Sequence, residues 1–384
     1  MVNIGIIGLG NMGRTHTNHL LAGEVENTKL TAVCDIDAGA RKWFRDKYGD
    51  DIKVFENYKE MYASGLIDAV LIATWHYDHP LMAIDAFEAG LHVLIEKPAG
   101  VYTKQVREMN EAAAKSGKVF SIMYNQRVNS VYIKIRDLIQ SGELGEIKRI
   151  NWIVTSWYRP QAYHDSSSWR STWKDEGGGV LINQCPHNLD LLQWIGGMPT
   201  RIRAFVSFGK YYDIEVEDDV TAFLEYENGA TGVFIASTGE SPGTNRLEIA
   251  GDMGKIVIDD NKLTFSRNRV SEREFNKVNT SGFEKPECWE CDIPVGDTYP
   301  DHNKIIRDFS NSILTGSKLL SPGEEGILGL TISNAIHLSA WTDDYVTLPM
   351  DEELFYNILQ DKIKNSTFVK KSKKATFDLG GSYS

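Results

Sequence analysis

Asn3 to His16 read NIGIIGLGNMGRTH, an apolar run that stops abruptly in glycines. Ile4, Ile6 and Ile7 suit a strand buried on both faces, and Gly8, Gly10 and Gly13 fall in the spacing G-x-G-x-x-G. That spacing also fits an ordinary turn, so its surroundings decide its meaning. A second apolar run, LTAVCDID from Leu30 to Asp37, reads as a strand with Asp35 at its end, 22 residues beyond Gly13. A carboxylate there accepts hydrogen bonds from the adenosine ribose of NAD, and it repels the 2′-phosphate of NADP unless Arg41 folds back to soften it. Strand, tight turn, helix, strand and acid together predict a dinucleotide site. One glycine makes the turn, one lets backbone approach the pyrophosphate, and one lets helix and strand pack closely. Asn11 and Met12 then open a helix whose free N–H groups face the phosphates.

The alternation continues through DAVLIAT (68–74), HVLIEKP (92–98) and VFSIMYN (119–125), with helical stretches between. Strands separated in this way build right-handed crossovers and a parallel sheet, whose ligands collect at the carboxyl ends. Thr74, Trp75, Glu96, Lys97 and Asn125 lie at those ends, and His79 lies close by. After YNQR the pattern changes to longer strands joined by turns such as Asn228-Gly229, the mark of an antiparallel or mixed sheet. The expected fold is therefore α/β followed by α+β, divided into residues 1–124 for the dinucleotide and 125–384 for substrate and oligomerisation.

Composition limits what such a chain can bind. Its 384 residues carry a net charge of -12, which argues against a nucleic-acid partner because that affinity comes from clustered Lys and Arg. The one basic run, KKSKK from Lys370 to Lys374, reads as a solvated tail. No apolar stretch reaches the roughly 18 residues of a membrane span and no leader pattern opens the chain, so a cytoplasmic setting is expected. Of four cysteines, only Cys288 and Cys291 form C-x-x-C; without a second pair or nearby histidines, a reduced pair is expected rather than a metal site.

Three segments together resemble the Gfo/Idh/MocA oxidoreductases: GIIGLGNMGRTH at the start, EKPAG after the fifth strand, and GGGVLINQCPHNLDLLQWIGGMP from Gly177. SGELGEIKRI and LEIAGDMGKIVID match as well. The resemblance implies a Rossmann domain followed by an α/β domain whose open sheet forms a homo-oligomer interface. It also implies reversible hydride transfer between nicotinamide and a carbinol or carbonyl carbon of a sugar, glycoside or inositol, with Lys97 and His187 as the catalytic pair.

The residues support those roles on their own terms. Lys97, at a strand end beside Pro98, is placed to stabilise negative charge on a reacting oxygen, its alternative being a surface lysine paired with Glu96. Pro186 belongs in a first helical turn, so His187 sits near a helix N-terminus whose positive potential favours neutral imidazole, the form that accepts a proton near pH 7. Asn183 stands where the family often has Asp; on a continuous helix it shares a face with His187 and orients the ring or a substrate hydroxyl by hydrogen bonding. Trp157, Tyr163, Trp169 and Arg170 read as a substrate loop, with rings for the C–H faces of a sugar and polar groups for its hydroxyls. The same residue types also serve interfaces. His164 either touches substrate or caps a turn, and His16, His76 and His79 show no metal-ligand spacing. Two alternatives share the site: a glycosidase that oxidises its sugar only transiently, and a dinucleotide-responsive regulator without catalysis.

Overall fold

The computed structural model describes residues 1–259, 262–296, 299 and 301–371. The part of the basic run beyond Lys371 lies outside them. The first sheet is parallel and six-stranded: β1 (Val2–Ile7), β2 (Thr28–Cys34), β3 (Lys53–Phe55), β4 (Ala69–Ile72), β5 (His92–Ile95) and β6 (Phe120–Ile122), in the order β3-β2-β1-β4-β5-β6. Strand β1 is buried on both faces, because Ile4 and Ile6 enter one apolar cluster and Ile7 the other. Its neighbours are β2 and β4, so the strand order reverses there and a crevice opens beyond the carboxyl ends of β1 and β4.

The second sheet has nine strands: β7 (Ile147–Val154), β8 (Arg201–Phe208), β9 (Glu217–Glu225), β10 (Thr231–Ser237), β11 (Asn245–Gly251), β12 (Gly254–Asp259), β13 (Lys262–Asn268), β14 (Cys288–Asp292) and β15 (Val346–Thr347). They lie in the order β14-β13-β12-β11-β7-β10-β9-β8-β15, antiparallel except where β10 meets β7. Alternation sends Trp152, Leu224 and Phe234 inward onto Leu189, Leu192 and Ile195 of the helix Pro186–Gly196 and Ile332 and Ile336 of the helix Gly326–Thr342. Outward it leaves Ile153 and Phe205 exposed.

The chain does not stay in the second sheet. Helix His302–Thr315 packs Ile305, Ile306 and Phe309, all 0% exposed, into the core formed by Val2, Ile4 and Ile6. Each such side chain contributes about 1.5–3 kcal/mol by leaving water. An ion triad with a buried Arg127–Asp190 pair and a part-exposed Glu325 adds a second tie. Arg127 donates to Asp190 at 2.6 and 2.8 Å and to Glu325 at 2.5 Å, joining the segment after β6 to the helix that begins at Pro186. Among the described residues, no helix is long and apolar enough to cross a membrane.

Candidate active site

The glycine turn sits at the end of β1, against β4. An added Cβ on Gly8, whose φ is +90°, would lie 2.4 Å from the Ala73 carbonyl oxygen, and one on Gly13 would lie 1.8 Å from that of Gly8. One on Gly10 would meet nothing within 4 Å. The turn is thus closed on the protein side and open on the other, where Gly10 caps the helix Asn11–Leu21 without any side-chain bond to its N–H groups. Asp35 accepts from Leu9 N–H at 2.6 Å and Asp37 N–H at 2.8 Å, which fixes its carboxylate over the turn. Arg41 does fold back, onto the carbonyls of Asp35 and Ile36, but its charge is taken by Glu56 at 2.8 Å.

Beyond β5, Glu96 is buried and bonded to His16 Nε2 at 2.6 Å. Burial alone raises its carboxyl pKa; the bond and charge of His16, with His302 and Lys97 nearby, outweigh this and hold it at about 2. His302 stacks edge-on to His16 with centroids 5.5 Å apart and receives Asn125 Nδ2 at 3.0 Å, and burial brings its pKa down to about 4. Asn125 Oδ1 is left as a buried acceptor without a partner. An open face over Gly10 and an orphaned acceptor after β6 both fit a dinucleotide laid across these strand ends.

Lys97 and His187 converge from opposite domains. The continuous helix through 183–187 that a face shared by Asn183 and His187 would require does not form: Val180–Asn183 makes one turn, Cys185 N–H returns to Val180, and a new helix begins at Pro186, the first-turn position its sequence suits. Proline has no N–H to continue the ladder, so the helix restarts there. The break turns the Asn183 carbonyl toward Lys97, whose Nζ donates to it at 2.8 Å. His187 occupies the first turn of the second helix, 6% exposed, with Nδ1 buried and unpartnered. Its pKa lies well below the ordinary value, chiefly through burial and then through the charge of Lys97. Burial also lowers the pKa of Lys97, with Glu96 opposing.

The Asn183 side chain turns away from a shared helical face with His187. It donates to Glu176, and its oxygen accepts from Tyr163 at 3.3 Å and Gln184 at 3.2 Å. Sequence reasoning missed Glu176. The signal was an acid immediately before Gly177-Gly178-Gly179, a segment that packs too tightly for side chains: a Cβ on Gly179 would lie 2.1 Å from the Glu217 carbonyl oxygen. His302 was missed too, since nothing local ties a helix so far along the chain to the glycine turn.

The four substrate-loop residues form one ladder. Arg159 lies over Trp157 and Tyr163 at 5.4 Å each, Arg170 over Tyr163 and Trp169 at 4.4 and 4.5 Å, and Trp169 stacks on Trp75 at 6.2 Å. Guanidinium planes and rings support each other across the two domains. Other candidates act as braces. His79 faces the carbonyls of Pro98 and Thr74 at 2.8 and 3.2 Å, tying β5 to β4 from beneath, and Thr74 Oγ1 reaches Met82. His76 meets the Glu176 carbonyl at 2.9 Å, and His164 meets Ser171 Oγ at 2.8 Å inside the loop. Lys370 crosses that loop, donating to the His164 carbonyl at 2.6 Å, so the basic run begins against protein rather than in solvent. Cys288 is exposed and Cys291 half-buried on β14.

Comparison with known proteins covers both domains. Residues 2–124 match the profile of the oxidoreductase family with the NAD-binding Rossmann fold, and residues 132–257 match the GFO/IDH/MocA C-terminal domain. Rhizopine catabolism protein MocA of Rhizobium meliloti is 31% identical over 53% of this chain and 60% of its own length. Inositol 2-dehydrogenase of Salmonella typhimurium is 32% identical over 50% of this chain and 53% of its own length. These matches span little more than half of either relative. The WlbA dehydrogenase of Chromobacterium violaceum, crystallised with NADH and UDP-GlcNAcA, superposes with a TM-score of 0.78 at 26% identity, covering 91% of this chain and 96% of that one.

Proposed function

Because the chain belongs to the GFO/IDH/MocA oxidoreductases, with NAD as cofactor, we propose that it transfers a hydride between nicotinamide and a carbinol or carbonyl carbon of a sugar, glycoside or inositol. The observation that carries this reading is the placement of two polar groups at the domain boundary: Lys97, whose Nζ donates to the Asn183 carbonyl at 2.8 Å, and the buried His187 in the first turn of the next helix, its Nδ1 unpartnered. Bound NAD supplies the hydride acceptor. His187 takes the hydroxyl proton as the carbon is oxidised, and Lys97 donates to the same oxygen, offsetting the negative charge that develops there. Asn183, Tyr163 and Arg170 offer a string of hydrogen-bonding groups to neighbouring hydroxyls, with Trp157 and Trp169 alongside. The relatives' names, an inositol dehydrogenase and an enzyme crystallised with a nucleotide sugar, support a polyhydroxylated ring.

The test is NADH formation against a panel of inositols, sugars and glycosides. A folded, NADH-binding protein inactive on all of them overturns the reading. Bond cleavage without net NADH replaces it with transient oxidation, and unchanged activity or phenotype in Lys97→Ala and His187→Ala replaces it with a regulator. Two further parts of the proposal are a cytoplasmic setting and a homo-oligomer closed through the second sheet. Phe205, Thr221, Ile235 and Ile153 lie in one cross-strand row on its outer face. Sedimentation checks this: Phe205→Asp with Ile153→Asp should shift the protein to a monomer.

A further inference from the structure

We propose that Glu176 is a positioning residue for the substrate: it fixes the Asn183 amide so that its oxygen, and not its nitrogen, faces the reacting ring. This rests on the hydride-transfer reading above. Glu176 is 2% exposed and lies outside the Lys97–His187 pair. Its carboxylate accepts from Ser171 N–H and from Asn183 Nδ2, with Arg170 Nη1 at 3.8 Å. An ionised carboxylate only accepts hydrogen bonds, so an amide placed against it must present its NH₂ group. The Asn183 oxygen is thereby pointed the other way, toward Tyr163 OH and Gln184 Nε2.

Those two bonds, at 3.3 and 3.2 Å, are long beside an ordinary bond of about 2.9 Å. They hold the oxygen loosely, as befits an acceptor that exchanges a protein donor for a substrate hydroxyl. Burial is graded in the same direction: Glu176 is buried whereas Asn183, Tyr163 and Arg170 are each part-exposed. The main-chain oxygen of Asn183 also receives Lys97 at 2.8 Å, so one residue offers an acceptor to the ring and a fixed point to the ammonium. Glu176 thus acts on the site without touching the reacting atoms, through the direction it gives the Asn183 amide; burial pushes its own carboxyl pKa up, while Arg170 and the bonds from Ser171 N–H and Asn183 oppose the rise.

The arrangement predicts a charge exchange. In Asn183→Asp a second carboxylate, at a part-exposed position, opposes that of buried Glu176, with Glu217 as a third acid nearby. In Glu176→Gln two amides meet and either orientation satisfies them. In the double variant the carboxylate and the amide trade places, and the group at 183 again presents an acceptor oxygen outward. The experiment compares wild type, both single variants and the double variant by thermal melting, NADH binding by fluorescence, and kcat and KM on the best substrate of the panel.

Expected results are a lowered Tm and a KM raised about tenfold in Asn183→Asp, a KM raised several-fold with kcat changed less in Glu176→Gln, and recovery of both Tm and KM to within about threefold in the double variant. NADH affinity stays constant throughout. A double variant no better than Asn183→Asp, or an Asn183→Asp protein equal to wild type, overturns the proposal. A KM that stays level in all four while Tm follows the cycle also overturns it, because the pair would then be structural only. If wild type oxidises nothing on the panel, the hydride-transfer reading fails and takes the substrate contact with it, while the melting cycle still decides whether the two side chains are paired as described.

Discussion

Gly10 faces open space, whereas a Cβ on Gly179 would sit 2.1 Å from the backbone of Glu217. Both segments are rich in glycine, yet the missing side chains do different work. In the first, the backbone is bared to a ligand and the recognising groups are N–H groups and one carboxylate. In the second, bare backbone lets Gly177 close on Val101 and Gly179 on Glu217, and in the proposed function recognition passes to side chains: Lys97, His187, Asn183 and the ring ladder. A site half built from backbone tolerates change only where Cβ atoms fit. A site half built from side chains depends on buried partners such as Glu176 that never meet the ligand.

The contrast predicts separable losses. The largest is expected in His187→Ala, where kcat should fall about 10²–10⁴-fold, the range for a lost general base, with NADH affinity within twofold of wild type. Equal loss of NADH binding would show that the halves are one unit. Gly13→Ala should instead weaken NADH binding by about a hundredfold, near 2.7 kcal/mol, because its Cβ has no room beside the Gly8 carbonyl. Gly179→Ala should spare NADH binding and raise KM. Asp35→Ser should reduce the preference for NAD over NADP by about tenfold, measured as a ratio of dissociation constants.

The smallest effect concerns pH. His187 is depressed below its ordinary value, so the base stays unprotonated as pH falls and the acid limb of kcat/KM should lie below about 6.5. Stability has the same sign. The unfolded chain takes up a proton below about 6.5 that buried His302 refuses until about 4, so stability drops across that window; Glu96, held at about 2, contributes above its ordinary 4.5 and loses that contribution as pH falls toward 2. Melting at pH 7 and pH 5 checks it. A Tm that rises on acidification would mean these groups are solvated.

The backbone-built half was legible because its chemistry is a spacing: Gly8, Gly10, Gly13 and Asp35 are near in sequence and near in space. Lys97 and His187 were legible as motif residues; the low pKa of His187 follows chiefly from burial and then from the charge of Lys97, where its sequence position suggested helix-end potential. The Asn183 reading failed at its local step. A shared face needs one helix through 183–187, but Pro186, legible as a first-turn residue, restarts the helix, and the Asn183 amide goes to Glu176, a partner that periodicity does not show. His302 was invisible for a plainer reason: 286 residues separate it from His16, and only tertiary packing brings their rings within 5.5 Å.

The stacked indoles of Trp75 and Trp169 belong to different domains and lie 6.2 Å apart with their planes 27° from parallel. Two chromophores that close share their electronic transitions, and the sign and size of the resulting far-ultraviolet couplet depend on their separation and twist. The molecule therefore carries its own optical gauge of how far the domains stand apart, readable without any label. Ligand titrations followed by circular dichroism would report any change in the separation or twist of this pair, and Trp75→Phe would remove its contribution while leaving that of Trp173 and Trp341, 5.7 Å apart.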